Sequence, residues 1–208
     1  IVSVLFAALC LGFSFSAYAD DAKVLTDANV TLSQQSFVYD GTAKNPAVIY
    51  NGITLLENTD YTVKYSNNVD VGTVKATITG INNYSGSISK TYVILPEKIA
   101  SVSIKKDSAT SAVISWSAAS KVSGYEILKF DSAKNAYVHL AHVSNSQTSY
   151  KVSSLKNSTA YYYQVRAYKT VNDKNYYGEV GNTVFTFIKP SKVKLTSVTL
   201  SKTTLKVE

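Results

Sequence analysis

From about residue 30 onward the chain shows no helical period. Short runs rich in β-branched and aromatic residues recur instead, with turn residues between them. These runs predict strands over 46–50, 60–65, 73–79, 87–94, 112–116, 125–130, 137–143, 160–168 and 183–188. Turn signals every eight to twelve positions or so are the spacing of an antiparallel sandwich, not of alternating β and α units. Asp40-Gly41, Asn51-Gly52 and Asn82-Asn83 stand between runs, as tight hairpins require. The expected fold class is therefore all-β, with antiparallel β-sandwich modules in tandem.

Two proline-containing junctions divide this pattern, Leu95-Pro96-Glu97 and Lys189-Pro190-Ser191. Proline cannot donate to a ladder, so it suits strand ends and short stiff linkers. The expectation is one module over 29–95, a second over 97–189, and a tail over 191–208. In the tail, Val198, Leu200, Leu205 and Val207 alternate with polar residues, which predicts the first strands of a further domain.

Residues 1–19 are apolar and uncharged, end in Ala17-Tyr18-Ala19, and are followed by Asp20-Asp21. Small-x-small before a polar start is where a signal peptidase cuts. Such a run could just cross a bilayer. Ser14, Ser16 and the cleavage pattern favour a secretory signal, front-truncated because no Met or basic segment precedes it. Cleavage would leave a secreted chain with no membrane span. Cys10 is the only cysteine and lies inside this run, so the exported chain has no disulfide and no thiolate metal site. Each module must then be held by its apolar core, for which about ninety residues suffice.

Charge is uneven. Residues 20–96 carry five lysines against seven acids, whereas 97–208 carry fifteen lysines and one arginine against seven acids. The lysines are scattered, as on a solvated surface. Outside a cell, nucleic acid is not the expected partner, and an anionic cell-wall polymer is the more natural counter-charge.

Catalytic patterns are absent from the sequence: there is no Gly-x-Ser-x-Gly elbow and no glycine-rich phosphate loop. The acids are sparse and sit mostly beside turns. Asp40 is best explained as a turn residue bonding its own backbone. His139 and His142 are the two histidines. On a regular strand their odd spacing points them to opposite faces, so they cannot share a metal without a bulge. We expect no enzyme activity, no cofactor and no metal site from these residues.

Two resemblances sharpen the picture. The second module resembles fibronectin type III. Ser115-Trp116-Ser117 stands where that family places its core tryptophan, Gly124-Tyr125-Glu126-Ile127 is similar to its third strand, and 155–161 is similar to the turn and tyrosine corner leading into strand F. The resemblance implies that Trp116, Tyr125, Tyr161 and Tyr163 are structural core, with the Tyr161 hydroxyl bonding back near Leu155. The first module resembles the bacterial immunoglobulin-like repeats with a Tyr-Asp-Gly motif, through Tyr39-Asp40-Gly41, Asp60-Tyr61-Thr62-Val63, Tyr65-Ser66-Asn67-Asn68 and 80–86. Residues 198–203 resemble the opening of another bacterial Ig-like family. Together these imply a multi-modular surface or secreted protein of a Gram-positive bacterium.

Six tyrosines crowd residues 159–178. Alternation along a strand puts Tyr161, Tyr163, Val165 and Ala167 on one face, the apolar one. Tyr162 and Tyr168 then flank Arg166 on the other, where Glu126 of the neighbouring strand is a candidate partner. Tyr176 and Tyr177 fall in or beside the F–G loop. They either hold that hairpin to the sheet or form a ligand contact on a loop carried by a rigid scaffold. The functional expectation is a non-catalytic binding or spacer array at the cell envelope, built of monomeric modules, whose partner is a cell-wall polymer, a polysaccharide or a protein. The alternative is an accessory region of a secreted glycoside hydrolase or peptidase whose catalytic domain lies beyond residue 208.

Overall fold

The computed structural model describes residues 21–189 and two short strands beyond them, 199–201 and 204–206. The expected signal over 1–19 lies outside the described residues. All nineteen described elements are strands. In the first module they are β1 (Lys23–Val24), β2 (Val30–Leu32), β3 (Ser36–Val38), β4 (Val48–Tyr50), β5 (Ile53–Thr54), β6 (Tyr61–Tyr65), β7 (Gly72–Gly80), β8 (Tyr84–Ser85) and β9 (Ser87–Leu95). The second module holds β10 (Val102–Lys106), β11 (Ala112–Trp116), β12 (Gly124–Asp131), β13 (Ala136–Ser144), β14 (Ser149–Val152), β15 (Thr159–Val171), β16 (Lys174–Tyr177) and β17 (Val184–Ile188). The tail contributes one hairpin, β18 (Thr199–Ser201) with β19 (Thr204–Lys206).

Each module packs one sheet on another. The first sets β2-β4-β5 against β3-β9-β7-β6, and the second sets β10-β11-β14 against β13-β12-β15-β16, with β17 also paired to β15. Alternation drives this. Along β7 the burial pattern is strictly in-out through Val74, Ala76 and Ile78, and along β17 through Val184, Thr186 and Ile188. Pairing is not antiparallel throughout, as the sequence pattern suggested. β3 runs parallel to β9, and β1 parallel to β8. Parallel neighbours need a long crossover, and here nearly the whole module lies between β3 and β9.

The two cores are separate. One gathers Val30, Val48, Ile78, Tyr92 and Ile94, and it reaches back to Leu25, ahead of the boundary expected at 29. The other gathers Ile99, Ile114, Trp116, Tyr125, Ile127, Tyr163, Val165 and Ile188. The Tyr92 hydroxyl donates to the Lys44 carbonyl at 2.5 Å, which ties the Tyr-Asp-Gly turn to the core. In that turn Thr42 N–H donates to Asp40 Oδ1 at 2.8 Å, as expected of a turn aspartate. The neighbouring Lys44 ammonium and the Thr42 donors hold the Asp40 carboxyl well below the usual range.

Only Leu95 to Lys98 separate Ile94 in the first core from Ile99 in the second. This link is pressed against the second module. A Cβ on Gly178 would meet the carbonyl oxygens of Pro96 at 2.7 Å and Glu97 at 2.9 Å, so only glycine lets the link pass. Glu97 Oε1 also accepts from the Ser120 N–H at 2.6 Å.

Candidate functional site

The outer face of the large sheet in the second module carries the polar chemistry of the described residues. Along β12 and β15 the register pairs Gly124 with Tyr168, Glu126 with Arg166, and Leu128 with Gln164. Side chains two apart share a face, so Glu126 and Arg166 meet on the outside. Arg166 Nε donates to Glu126 Oε2 at 2.6 Å, as the sequence anticipated. Glu126 is only 5% exposed, and burial of an ion obliges it to find charged or hydrogen-bonding partners.

Its other oxygen faces β13, and here the structure overturns an expectation. Glu126 pairs with His142 and Ile127 with Ala141, but Leu128 pairs with His139. Leu140 is the extra residue of a β-bulge, so the alternation skips one position. The odd spacing that should send the two imidazoles to opposite faces instead brings both to Glu126. His139 Nδ1 lies 2.9 Å from Glu126 Oε1 and His142 Nε2 lies 3.8 Å from the same atom. The two rings are 4.5 Å apart, centroid to centroid.

Aromatic rings wall this cluster. Tyr177 covers the guanidinium of Arg166 at 4.0 Å and stacks on His142 at 6.4 Å, while Tyr168 packs on His142 at 4.8 Å. Tyr168 lies this close because its strand neighbour is Gly124. A Cβ there would stand 2.9 Å from the Tyr168 hydroxyl.

Toward the other end of the same face runs a row of aromatics. Phe130 packs edge-on against Tyr137 at 5.3 Å and Tyr162 at 6.3 Å, and Tyr162 packs on Phe185 at 5.8 Å. Phe185 is 62% exposed and Phe187 47%. Sequence reasoning missed this row. The residues come from four strands, and only the registry Tyr162–Phe185 and Phe130–Tyr137 aligns them. The alternate phenylalanines in Val-Phe-Thr-Phe-Ile were the one signal that could have pointed to it.

The six expected residues fall as follows. Trp116 is buried in the same core as Tyr163 and makes an edge contact with Tyr125 at 5.4 Å. Tyr125 is fully buried, and its hydroxyl accepts from Ala119 N–H at 2.9 Å. Tyr163 is fully buried, which pushes its phenol up to about 12. Tyr161 is half-buried at the edge of the core, and its hydroxyl accepts from Lys156 N–H at 2.8 Å, closing the corner beside Leu155. Tyr176 and Tyr177 are not on a loop. β15 runs on to Val171 and pairs with β16 across a two-residue turn, Asn172-Asp173, both with positive φ.

Tyr176 is turned to the first module and buried there. Its hydroxyl shares a 2.7 Å hydrogen bond with Thr73 Oγ1, and the Val171 side chain lies against Gly72. Tyr177 is half-buried over Arg166. One of the pair thus joins the modules and the other walls the Glu126 cluster.

No helix among the described residues is long and apolar enough to cross a membrane. A search of curated proteins finds no match. Among solved structures, the chain is similar to a segment of two fibronectin type III domains from chicken tenascin, at 13% identity over 58% of this chain and 67% of that one, with a TM-score of 0.45. It is also similar to the fibronectin domain of human contactin 1, at 18% identity over 46% and 79%, TM-score 0.37. A third likeness is to domains from titin, at 15% identity over 78% and 66%, TM-score 0.37. At such identities and scores the fold rests on the strand pairings above, not on these likenesses. The family model of the fibronectin type III domain, however, matches residues 96–180. That span runs from the link at Pro96 through the core tryptophan, the tyrosine corner and the β15–β16 hairpin, and it is a fibronectin type III domain.

Proposed function

We propose that these residues form a stiff, non-catalytic spacer and binding array at the cell envelope of a Gram-positive bacterium. In this reading a bacterial immunoglobulin-like repeat is followed by the fibronectin type III domain, in a chain exported by its leading apolar run. The junction carries the reading. Four residues link the cores, Gly178 seats the link, and Tyr176 reaches from the hairpin to Thr73. The ion pair Lys121–Asp70, at 4.0 Å and exposed, adds little. Domains joined by a small interface ordinarily move relative to one another. A buried tyrosine and a link without slack oppose that motion, which is what a spacer needs.

The test is NMR relaxation of the two modules in one chain. A single rotational correlation time is expected for both, splitting into two in Tyr176→Ala. Independent tumbling of the modules in the unaltered chain would refute the spacer.

The aromatic row favours a contact role as well. Exposed rings of this kind mark interaction surfaces more often than scattered apolar residues do. Phe185 and Tyr162 stand where the flat face of a sugar, or an apolar side chain of a protein, would stack. Pull-down on purified cell wall tests this. A Tyr162→Ser/Phe185→Ser variant should lose retention at high and low salt alike. Retention that survives this variant and vanishes with salt would assign binding to the scattered lysines instead.

A further inference from the structure

We infer that Glu126, His139 and His142 form a binding site for a divalent transition-metal ion of the zinc class. The cluster supplies two imidazole nitrogens and one carboxylate oxygen, and the three ligand atoms all lie within 4.8 Å of one another. A tetrahedral zinc site holds nitrogen and oxygen ligands at about 2.0–2.2 Å, so its ligand atoms stand a little over 3 Å apart. His139 Nδ1 and Glu126 Oε1 are already 2.9 Å apart, and His142 Nε2 needs only a small ring movement from 3.8 Å. Two imidazoles with one carboxylate and an open position suit zinc, copper or nickel and not calcium or magnesium, which require mostly oxygen ligands.

Three features of the surroundings agree with this use. First, the bulge at Leu140 shifts the register of β13 against β12 by one residue. Its consequence is to aim both histidines at one carboxylate. Second, Glu126 is held from behind. Arg166 occupies Oε2 and leaves Oε1 toward β13, the arrangement by which an outer partner orients a ligand. Third, Tyr168 and Tyr177 pack on His142 and limit its rotation. Because Arg166 also places a positive charge nearby, ligation is monodentate through Oε1 and the affinity is moderate. In the ion-free site His139 Nδ1–H donates to Glu126 Oε1 at 2.9 Å, and the metal ion replaces that proton, leaving His139 to ligate through Nδ1 with its remaining proton on Nε2. The side chains of His139 and His142 are 51% and 38% exposed, so the fourth position is open to water or to a donor atom from a partner.

The experiment is a titration of the full chain, without a histidine tag, with Zn²⁺ alone. Ion binding is counted by equilibrium dialysis and the imidazole resonances are followed by NMR. The chain has only two histidines, so both signals are assigned by single variants. One ion per chain is expected, with both imidazoles shifting together. His139→Gln and His142→Gln should each weaken binding more than about tenfold, the lower end of what losing even an outer-sphere partner costs. Glu126→Gln should do the same. Trp116 fluorescence and the unfolding midpoint show that each variant is folded. Three results would overturn the site: no saturable binding, binding that persists in the double histidine variant, or wild-type affinity in folded Glu126→Gln.

Discussion

The two modules bury their inner faces in the same way and use their outer faces differently. On the large sheet of the first module, β7 and β9 show the solvent Thr77 opposite Ser89 and Thr79 opposite Ser87, with hydroxyls 3.5 and 3.1 Å apart. On the large sheet of the second, the same kind of position holds Glu126, Arg166, two histidines and a row of aromatics. The inner faces are constrained because each module without disulfides must exclude water from a core. The outer faces are free of that demand, and only one of them has acquired chemistry. The hydroxyl face is not idle at its end, however, for Thr73 receives Tyr176 from the second module.

Emptying the second core should have the largest effect. Trp116→Ala removes a buried ring against Tyr125, so it should cost about 3–5 kcal/mol, measured by chemical denaturation. The first module should keep its own transition, because the two cores share no residue. A loss below about 1 kcal/mol would take Trp116 out of the core.

Alkaline pH should destabilise the first module more than the second. Burial raises the phenols of Tyr65 and Tyr92 to about 12 and also raises Tyr61 in the first module, whereas in the second Tyr163 alone is raised to about 12. In each case the folded state holds its proton more tightly than the unfolded chain. Stability is therefore complete below about pH 10, the ordinary tyrosine value, and is lost as pH rises toward 12. The first module should unfold first between pH 10 and 12, read by its tyrosine signals in NMR. Simultaneous loss of both would deny the difference.

Glu126→Gln tests the polar outer face. It leaves the Arg166 guanidinium without its carboxylate, and Arg166 is partly exposed, so a loss of about 1–3 kcal/mol is expected, below that for a fully buried pair. Thr77→Ala, on the corresponding face of the first module, should change stability by less than about 0.5 kcal/mol. Equal costs would mean that both faces are merely solvated. Between these lies Tyr161→Phe, which deletes only the hydroxyl that accepts from Lys156 and should cost about 1 kcal/mol.

The cores of both modules were legible because alternation along a strand is a local property. Val74, Ala76 and Ile78, or Tyr163, Val165 and Ala167, read as one buried face without knowledge of any neighbour. The turns were legible for the same reason. Gly41, Asn51, Gly52 and Asn82 adopt the positive φ that these residues tolerate. The tight Asn172-Asp173 turn, where a loop was expected, emerged only from the pairing of β15 with β16. The Glu126–Arg166 pair needed only the assumption that their strands are neighbours. The cluster around it could not be read this way. Whether His139 and His142 share a face depends on where β13 skips a residue, and the skip is set by pairing with β12, not by the order Tyr-Val-His-Leu-Ala-His-Val.

By itself, then, the sequence determined an all-β chain, its two apolar interiors, its turns, and a second module with a core tryptophan and a tyrosine corner. Tertiary structure alone decided the parallel pairing of β3 with β9, the burial of Tyr176 on Thr73, the aromatic row, and the meeting of two histidines on one carboxylate. The physical reason is range. Side-chain period and turn conformation are settled within a few residues, whereas register, bulges and contacts between modules are settled by partners such as Glu126 and His139, 13 positions apart, or Thr73 and Tyr176, 103 positions apart.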